Sequence, residues 1–164
     1  QCLYNLKRIG YQTGAGFMVG SPFQTSEMLV KDLKFIEKLS PEMCGIGPFV
    51  PHKDTKFKNE NHGDVSLVLM LLSIIRLLKP NILLPATTAL GTVDPLGREK
   101  GILHGANVVM PNLSPVKHRK DYSLYDNKIC TGDEAAQCIG CLADRMKKIG
   151  CEIVTDRGDY KADI

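Results

Sequence analysis

The sequence has no tryptophan, and aromatic residues make up only 6% of its 164 residues. It also lacks a strong charge of one sign, because 21 basic residues stand against 18 acidic ones. The basic residues are scattered, apart from a group at Lys117–Lys120. Nucleic-acid-binding proteins usually carry a broad basic face. The composition therefore argues against nucleic acid as a partner.

No apolar run reaches the roughly 20 residues that a bilayer-spanning helix needs. The longest, Val65–Leu78, contains Arg76, so a buried helix explains it better than a membrane segment does. The first residues, QCLYNLKRIG, lack the charged-then-apolar pattern of a signal peptide. We therefore expect a cytoplasmic protein without membrane contact. Because the sequence starts at Gln1 within a predicted helix that ends at Gly10, we also expect a piece of a longer protein.

Runs typical of strands alternate with helical patterns. Helices are predicted from an N-cap at Thr25 to about Leu39, from a cap at Asp64 through Leu78, and around 98–104. Strands are predicted at Thr13–Gly20, Cys44–Val50, Ile82–Leu90 and Ala106–Met110. This alternation indicates an α/β fold with a parallel sheet, and four βα units are half of a TIM-type (β/α)8 barrel. An open doubly wound sheet is the alternative that periodicity alone does not separate.

The chain divides by composition into two parts. Residues 1–115 hold the four βα units, and residues 116–164 form a more polar C-terminal extension with four of the six cysteines and a predicted helix, Ala135–Ile149. Half a barrel leaves two sheet edges and half of the interior uncovered. We therefore expect a partner, either the missing half of the barrel or a second copy of this chain.

Three cysteines of the extension, Cys130, Cys138 and Cys141, form a C-x7-C-x2-C group. Two residues between ligands allow both sulfurs to face one metal at about 2.3 Å, so the group is a candidate metal site. In a reducing compartment, clustered cysteines are more often metal ligands than disulfides. The residues alone do not decide between an iron–sulfur cluster, a zinc ion and three small buried side chains that bind no metal. The fourth position of a metal would be taken by Cys151, taken by a non-protein group, or left open.

The ends of the predicted strands are the second candidate site, because α/β barrels bind ligands at the C-terminal ends of their strands. These ends combine apolar side chains with a few hydroxyls, a lining that suits an adenosyl group or a small substrate but is also common in a core. His52 follows the second strand, and a histidine in such a loop is more often a solvated or capping residue than a base.

Five segments carry a resemblance to a known family. They are GYQTGAGFMVGSPFQT, GIGPFVPHKDT, LPATTALGTVDPLGRE, GANVVMPNLSP and LYDNKICTGDEAAQCIGC. Together they resemble the C-terminal half of proteins of the HydE family, which are radical S-adenosylmethionine (SAM) enzymes of the biotin-synthase-like group. The resemblance covers essentially the whole chain, and the region from about 80 to 160 resembles the biotin and thiamin synthesis associated (BATS) region.

The resemblance implies a radical SAM enzyme that takes part in maturation of the [FeFe] hydrogenase H-cluster. In this family, a [4Fe-4S] cluster on a C-x3-C-x2-C loop cleaves SAM to a radical that attacks a small-molecule substrate inside the barrel. No such motif occurs in this sequence, so the chain by itself is expected to be inactive. The alternatives are a non-catalytic iron–sulfur or zinc module and another biotin-synthase-like radical SAM enzyme.

The resemblance also implies site residues, although none with a catalytic role. An auxiliary iron–sulfur site is implied at Cys130, Cys138 and Cys141. The residues implied to wall the SAM site are Met18, Val50, Tyr122 and Leu124. Those implied to line the substrate cavity are Met43, Thr87, Thr88 and Met110. One departure concerns Phe23, which stands where family members usually have glycine.

Overall fold

The computed structural model describes residues 1–122, 124–129, 135–154 and 156–161. Strand and helix alternate as predicted along the first part of the chain. The elements, in chain order, are α1 (Cys2–Arg8), β1 (Gly14–Val19), α2 (Ser26–Leu39), β2 (Met43–Pro48), α3 (Val65–Leu78), α4 (Thr88–Val93), α5 (Gly97–Leu103), a 3-10 turn (Val116–Tyr122) and α6 (Ala135–Lys148). Among these described helices, none has the length and apolar character that crossing a bilayer demands.

The extended segments lie side by side in chain order and run parallel. β1 pairs with β2 from Gly14 opposite Met43 to Val19 opposite Pro48. The next segment continues the layer, because Leu83 bridges to Met43 and Pro85 bridges to Val108, both in parallel. Four parallel segments in sequential order, connected through helices, are the arrangement of a barrel wall.

The third and fourth segments are less regular than predicted. Pro85 has no N–H to donate, which limits the pairing of that segment to isolated bridges. The predicted strand Ile82–Leu90 also ends early, since the Thr87 hydroxyl accepts a hydrogen bond from the Leu90 N–H at 3.3 Å and α4 begins at Thr88. The fourth segment pairs through Val108, while the Asn107 side chain accepts from the Leu84 N–H at 2.8 Å.

One face of the layer packs on α2 and α3. Both helices begin where the sequence predicts, because the Thr25 hydroxyl accepts from the Met28 N–H and the Asp64 carboxylate from the Ser66 N–H. Helix α3 is apolar nearly all round, as expected of a helix between a sheet and other protein. The buried core that the helices and strands share includes Val19, Ile36, Cys44, Ile46, Val68, Leu72, Ile75, Ile82, Leu84 and Leu90.

Several hydrogen bonds connect the C-terminal region to the wall. Arg145 of α6 donates from Nε and Nη2 to the Glu99 carboxylate of α5, at 2.5 and 2.6 Å, and also bonds the Pro95 carbonyl. Close to the end of the described chain, the Tyr160 N–H donates to the Gln12 side chain at 3.0 Å, just before β1. The division of the chain into parts at 115 and 116 stays a prediction.

A partly buried acid, Glu42, joins α1 to the start of the layer. The Glu42 carboxylate accepts from the Lys7 ammonium at 2.5 Å, and from the N–H and hydroxyl of Thr13 at 2.6 and 2.9 Å. Burial by itself raises the pKa of Glu42, but these hydrogen bonds outweigh it and lower the pKa to about 2 from its ordinary 4.5. The charged form is therefore favoured in the folded state.

This network predicts an acid-sensitive contribution to stability. Because the folded pKa lies below the unfolded one, the contribution is complete above about pH 4.5 and is lost as the pH falls toward 2. Glu42→Gln should lower the free energy of unfolding at pH 7 by about 1–3 kcal/mol, a typical effect for a hydrogen-bonded charged group. Urea unfolding at pH 7 and at pH 3 measures the difference, which should shrink at the lower pH.

Glu37→Gln is the matched control, since Glu37 is an exposed acid on α2. Equal losses of stability in the two variants, or a loss in Glu42→Gln that does not depend on pH, would contradict the role assigned to Glu42.

Candidate functional site

The second face of the layer is glycine-rich and open. Side chains alternate along each strand, so Val19, Cys44 and Ile46 point to the helices while the residues between them point the other way. On that second face, Gly16 stands opposite Gly45 and Met18 opposite Gly47. We call it the inner face, because it corresponds to the interior of a barrel whose outside is covered by α2 and α3.

A cavity of about 680 Å³ lies on the inner face, toward the C-terminal ends of the strands. This volume is within the range of about 300–1,000 Å³ that is usual for small-molecule sites. Its walls are mostly apolar, and the polar side chains among them are those of His52, Thr55, Thr87 and Tyr125. The remaining lining residues are Gly16, Phe17, Met18, Gly45, Ile46, Gly47, Pro48, Phe49, Val50, Phe57, Ala89 and Leu124.

Four of the eight residues predicted to contact SAM or substrate line this cavity together. Met18 projects from β1 and is 53% exposed, Val50 follows β2, and Leu124 lies in the loop after the 3-10 turn. The Thr87 side chain lies over Gly47, so close that a Cβ on Gly47 would be 2.7 Å from Oγ1. The four come from separate parts of the chain, which makes the cavity a product of the tertiary fold.

The other four predicted residues lie outside the cavity lining. Met43 is at the opposite end of β2, and Met110 is two residues beyond the bridge at Val108 and half exposed. Tyr122 is exposed at the end of the 3-10 turn. The Thr88 hydroxyl accepts from Nη2 of Arg98, a buried side chain, at 3.1 Å. Their ligand contacts stay predictions.

The predicted metal ligands fall mainly on parts of the chain that are not described. Cys130 lies outside the described residues, and so does the side chain of Cys138. Cys141 is exposed on α6. Within the described part of the chain, no three His, Cys, Asp or Glu side chains come close enough to hold a metal ion. The auxiliary site therefore stays a prediction.

The described cysteines outside this group have no disulfide partner. Cys44 is buried in β2, and burial raises the pKa of its thiol to about 12, which keeps the side chain neutral as an apolar core group. Cys2 is exposed and Cys151 is partly buried.

The structure adds residues that the sequence reasoning did not assign to a site. His52, interpreted as a solvated or capping residue, lines the cavity, and Phe57 stacks edge-on between Phe49 and Phe23 beside it. The sequence does contain a signal for the open inner face, because glycine recurs at every second position in GAGFM and in CGIGP. A strand that places glycine on one face alone leaves space on that face.

No protein-family model matches the chain. Among curated proteins, it is 46% identical over 160 residues to the "[FeFe] hydrogenase maturase subunit HydE" of Thermotoga maritima, an alignment that covers 98% of this chain and 46% of that protein. It is also 25% identical over 157 residues to the 3-methylornithine synthase of Methanosarcina acetivorans, covering 91% of this chain and 42% of that protein.

Among solved structures, the chain superposes on methylornithine synthase (PylB) with a TM-score of 0.70 and 24% identity, over 91% of this chain and 42% of that one. This likeness concerns the fold, and it confirms the predicted α/β architecture as the C-terminal half of a TIM-type barrel. The chain spans less than half the length of the relatives it matches.

Neighbouring glycines of β2 give a test of the inner face. A Cβ on Gly45 would meet no atom within 4 Å, whereas a Cβ on Gly47 would crowd the Thr87 hydroxyl. Gly45→Ala should leave stability unchanged or raise it by about 0.5–1 kcal/mol, because alanine restricts the unfolded chain more. Gly47→Ala should cost about 1–3 kcal/mol through overpacking. Urea unfolding of both variants measures this, and equal effects would show that the wall is not arranged as described.

Proposed function

We propose that this HydE-like chain, which is similar to the C-terminal half of radical SAM enzymes, forms one side of a barrel that binds SAM and a small-molecule substrate. The observation that carries the proposal is the apolar cavity at the C-terminal ends of the strands, on the face left open by α2 and α3. Radical chemistry needs a site from which water is excluded. A wall of glycine, aliphatic and aromatic groups suits that need.

The chain's own residues would bind and orient the ligands. We assign Met18, Val50 and Leu124 to the SAM wall, since they line the cavity from three different segments, and we add Tyr122 from the family resemblance. Thr87 is assigned to the substrate side, together with Thr88, Met43 and Met110 farther along the wall. SAM, bound at a [4Fe-4S] cluster held elsewhere in the barrel, would supply the radical chemistry.

The cysteines of the C-terminal region would hold an auxiliary iron–sulfur cluster. Three thiolates at Cys130, Cys138 and Cys141 are a donor set suited to iron–sulfur or zinc. The name of the Thermotoga relative supports a role in [FeFe] hydrogenase maturation. We further assign a BATS region at about 80–160 and a cytoplasmic location, where the unpaired state of Cys44, Cys141 and Cys151 would persist.

The partner that we propose is the N-terminal half of the barrel. Where that half is absent, a second copy of this chain would take its place. In the described residues, β1 pairs only with β2, so its other edge has main-chain groups available for another strand. Exposed apolar side chains also line the cavity on the inner face, among them Met18 and Leu124. A second half of the barrel would cover both.

Two other functions remain as alternatives. The C-x7-C-x2-C group of Cys130, Cys138 and Cys141 favours a non-catalytic iron–sulfur or zinc module. The similarity to 3-methylornithine synthase favours another radical SAM reaction of the biotin-synthase-like group. Iron content, SAM binding and product analysis separate these functions.

Complementation tests the proposal directly. The chain, co-expressed with the N-terminal half of the Thermotoga HydE relative and reconstituted with iron and sulfide, should form a one-to-one complex that binds one SAM. Val50→Asp should weaken SAM binding at least tenfold, because it places a charge in the apolar wall. Equilibrium dialysis with labelled SAM is the measurement, and Lys58→Asp, in an exposed loop outside the lining, is the control.

A complex that binds no SAM, or that binds it equally well with Asp at position 50, would contradict the proposal. Without the other half, the chain should elute from a size-exclusion column as a dimer or larger species. A well-behaved monomer would show that the open face needs no partner.

The cysteine site has its own test. Replacing Cys138 and Cys141 by serine should remove most of the iron bound after anaerobic reconstitution, with helical content nearly unchanged. Cys2→Ser is the matched control, since Cys2 is an exposed thiol on α1. Metal analysis measures the bound iron and zinc, and circular dichroism measures the helical content. Zinc without iron would favour the zinc alternative. An unchanged iron content in the double variant would place the metal at other residues.

A further inference from the structure

The polar side chains of the cavity differ in the hydrogen bonds that they form within the protein. The Thr55 hydroxyl is used within the protein, since it donates to the His52 carbonyl at 2.8 Å. The Thr87 hydroxyl accepts from the Leu90 N–H as the cap of α4. His52 accepts at Nδ1 from the main-chain N–H of Asp54 at 3.1 Å. Nδ1 of His52 is therefore committed within the protein, and Nε2 makes no hydrogen bond to the residues that the structure describes.

This hydrogen bond fixes the tautomer of the ring. A nitrogen that accepts a hydrogen bond carries no proton, so the neutral imidazole of His52 has its proton on Nε2. The Asp54 carboxylate is 3.8 Å from Nδ1 and its side chain is 75% exposed, which makes it a weak partner in comparison. The main chain therefore determines the tautomer, and Nε2–H is a donor.

The loop that carries the ring is well held. The Thr55 N–H donates to the His52 carbonyl at 3.0 Å, which closes a turn over 52–55. The residue before it is Pro51, whose ring restricts the backbone and whose carbonyl accepts from the Asp126 N–H at 3.1 Å. The His52 side chain is 20% exposed. A donor held in this way loses little conformational entropy when it binds a ligand.

We infer that His52 is a ligand-contacting residue that presents Nε2–H to a hydrogen-bond acceptor of the SAM molecule held against Val50. The inference rests on the proposed function and adds a residue to it. When a ligand enters a cavity with apolar walls, its acceptor atoms lose their hydrogen bonds to water and need a partner in the protein. A donor held in one place therefore favours one orientation of the ligand.

Amide side chains distinguish the two ring nitrogens. The amide N–H2 of glutamine reaches the place of Nε2, whereas that of asparagine reaches only the place of Nδ1. In the assembled barrel, His52→Gln should bind SAM within about threefold of the wild type, while His52→Asn and His52→Ala should bind it about tenfold or more weakly. Asp54→Asn is the matched control, because it keeps the main-chain N–H and should bind SAM like the wild type.

Titration calorimetry with SAM separates the possible failures. If the wild-type assembly binds no SAM, the proposed function fails and this inference with it. If the wild type binds SAM and His52→Ala binds it equally well, only the inference fails. A uniform loss in all three His52 variants would indicate a merely structural role and would also overturn it.

A measurement on the wild-type chain removes any dependence on whether variants fold. The 15N chemical shifts of the His52 ring, recorded by NMR under mildly basic conditions, should show the Nε2–H tautomer, and the Nε2 signal of the assembled barrel should move when SAM is added. A ring protonated on Nδ1, or an Nε2 signal that does not move on saturation with SAM, would overturn the inference.

Discussion

The alternation of side chains along two parallel strands is the constraint on which the rest of the structure depends. Because neighbouring residues of a strand point to opposite faces, Val19, Cys44 and Ile46 can be buried under helices only if Gly16, Met18 and Gly45 face the other way. Helices cover the first face, and the second has glycine where a packed core would need large side chains. That asymmetry creates the cavity, and it also leaves a surface that half a barrel cannot close.

The start of α4 connects this cavity to the C-terminal region. Thr87 faces the cavity floor, and its neighbour Thr88 accepts a hydrogen bond from the buried Arg98 of α5. The next residue of α5, Glu99, is bonded in turn to Arg145 of α6. The Arg145 hydrogen bond lowers the pKa of Glu99 against the opposing effect of burial, so the pair is held in its charged form. The helix that bears Cys141 is thereby fixed to the element that orients the cavity wall.

Local signals in the sequence predicted α2 and α3 well. Thr25 and Asp64 were recognisable caps, and both hold the first turn of their helix. The strands were harder, since the apolar run from Ile82 does not show that the pairing around Pro85 is limited to isolated bridges and that Thr87 caps a helix.

The cavity was predictable only in part, because it depends on distant segments meeting. Glycine at alternate positions indicated an open face, but nothing local shows that Leu124 reaches it. The role of His52 depends on the Asp54 main-chain N–H, which sequence patterns do not reveal.

Amide hydrogen exchange tests most directly whether the open face is the interior wall of a barrel. It is measured on this chain alone and after addition of the N-terminal half of the Thermotoga HydE relative. Slower exchange is expected in β1 and in the fourth segment, which contains Val108, because these are the two edges of the layer, with little change in α2 and α3. Protection confined to the outer surfaces of α2 and α3, in a complex that leaves β1 unchanged, would contradict this expectation.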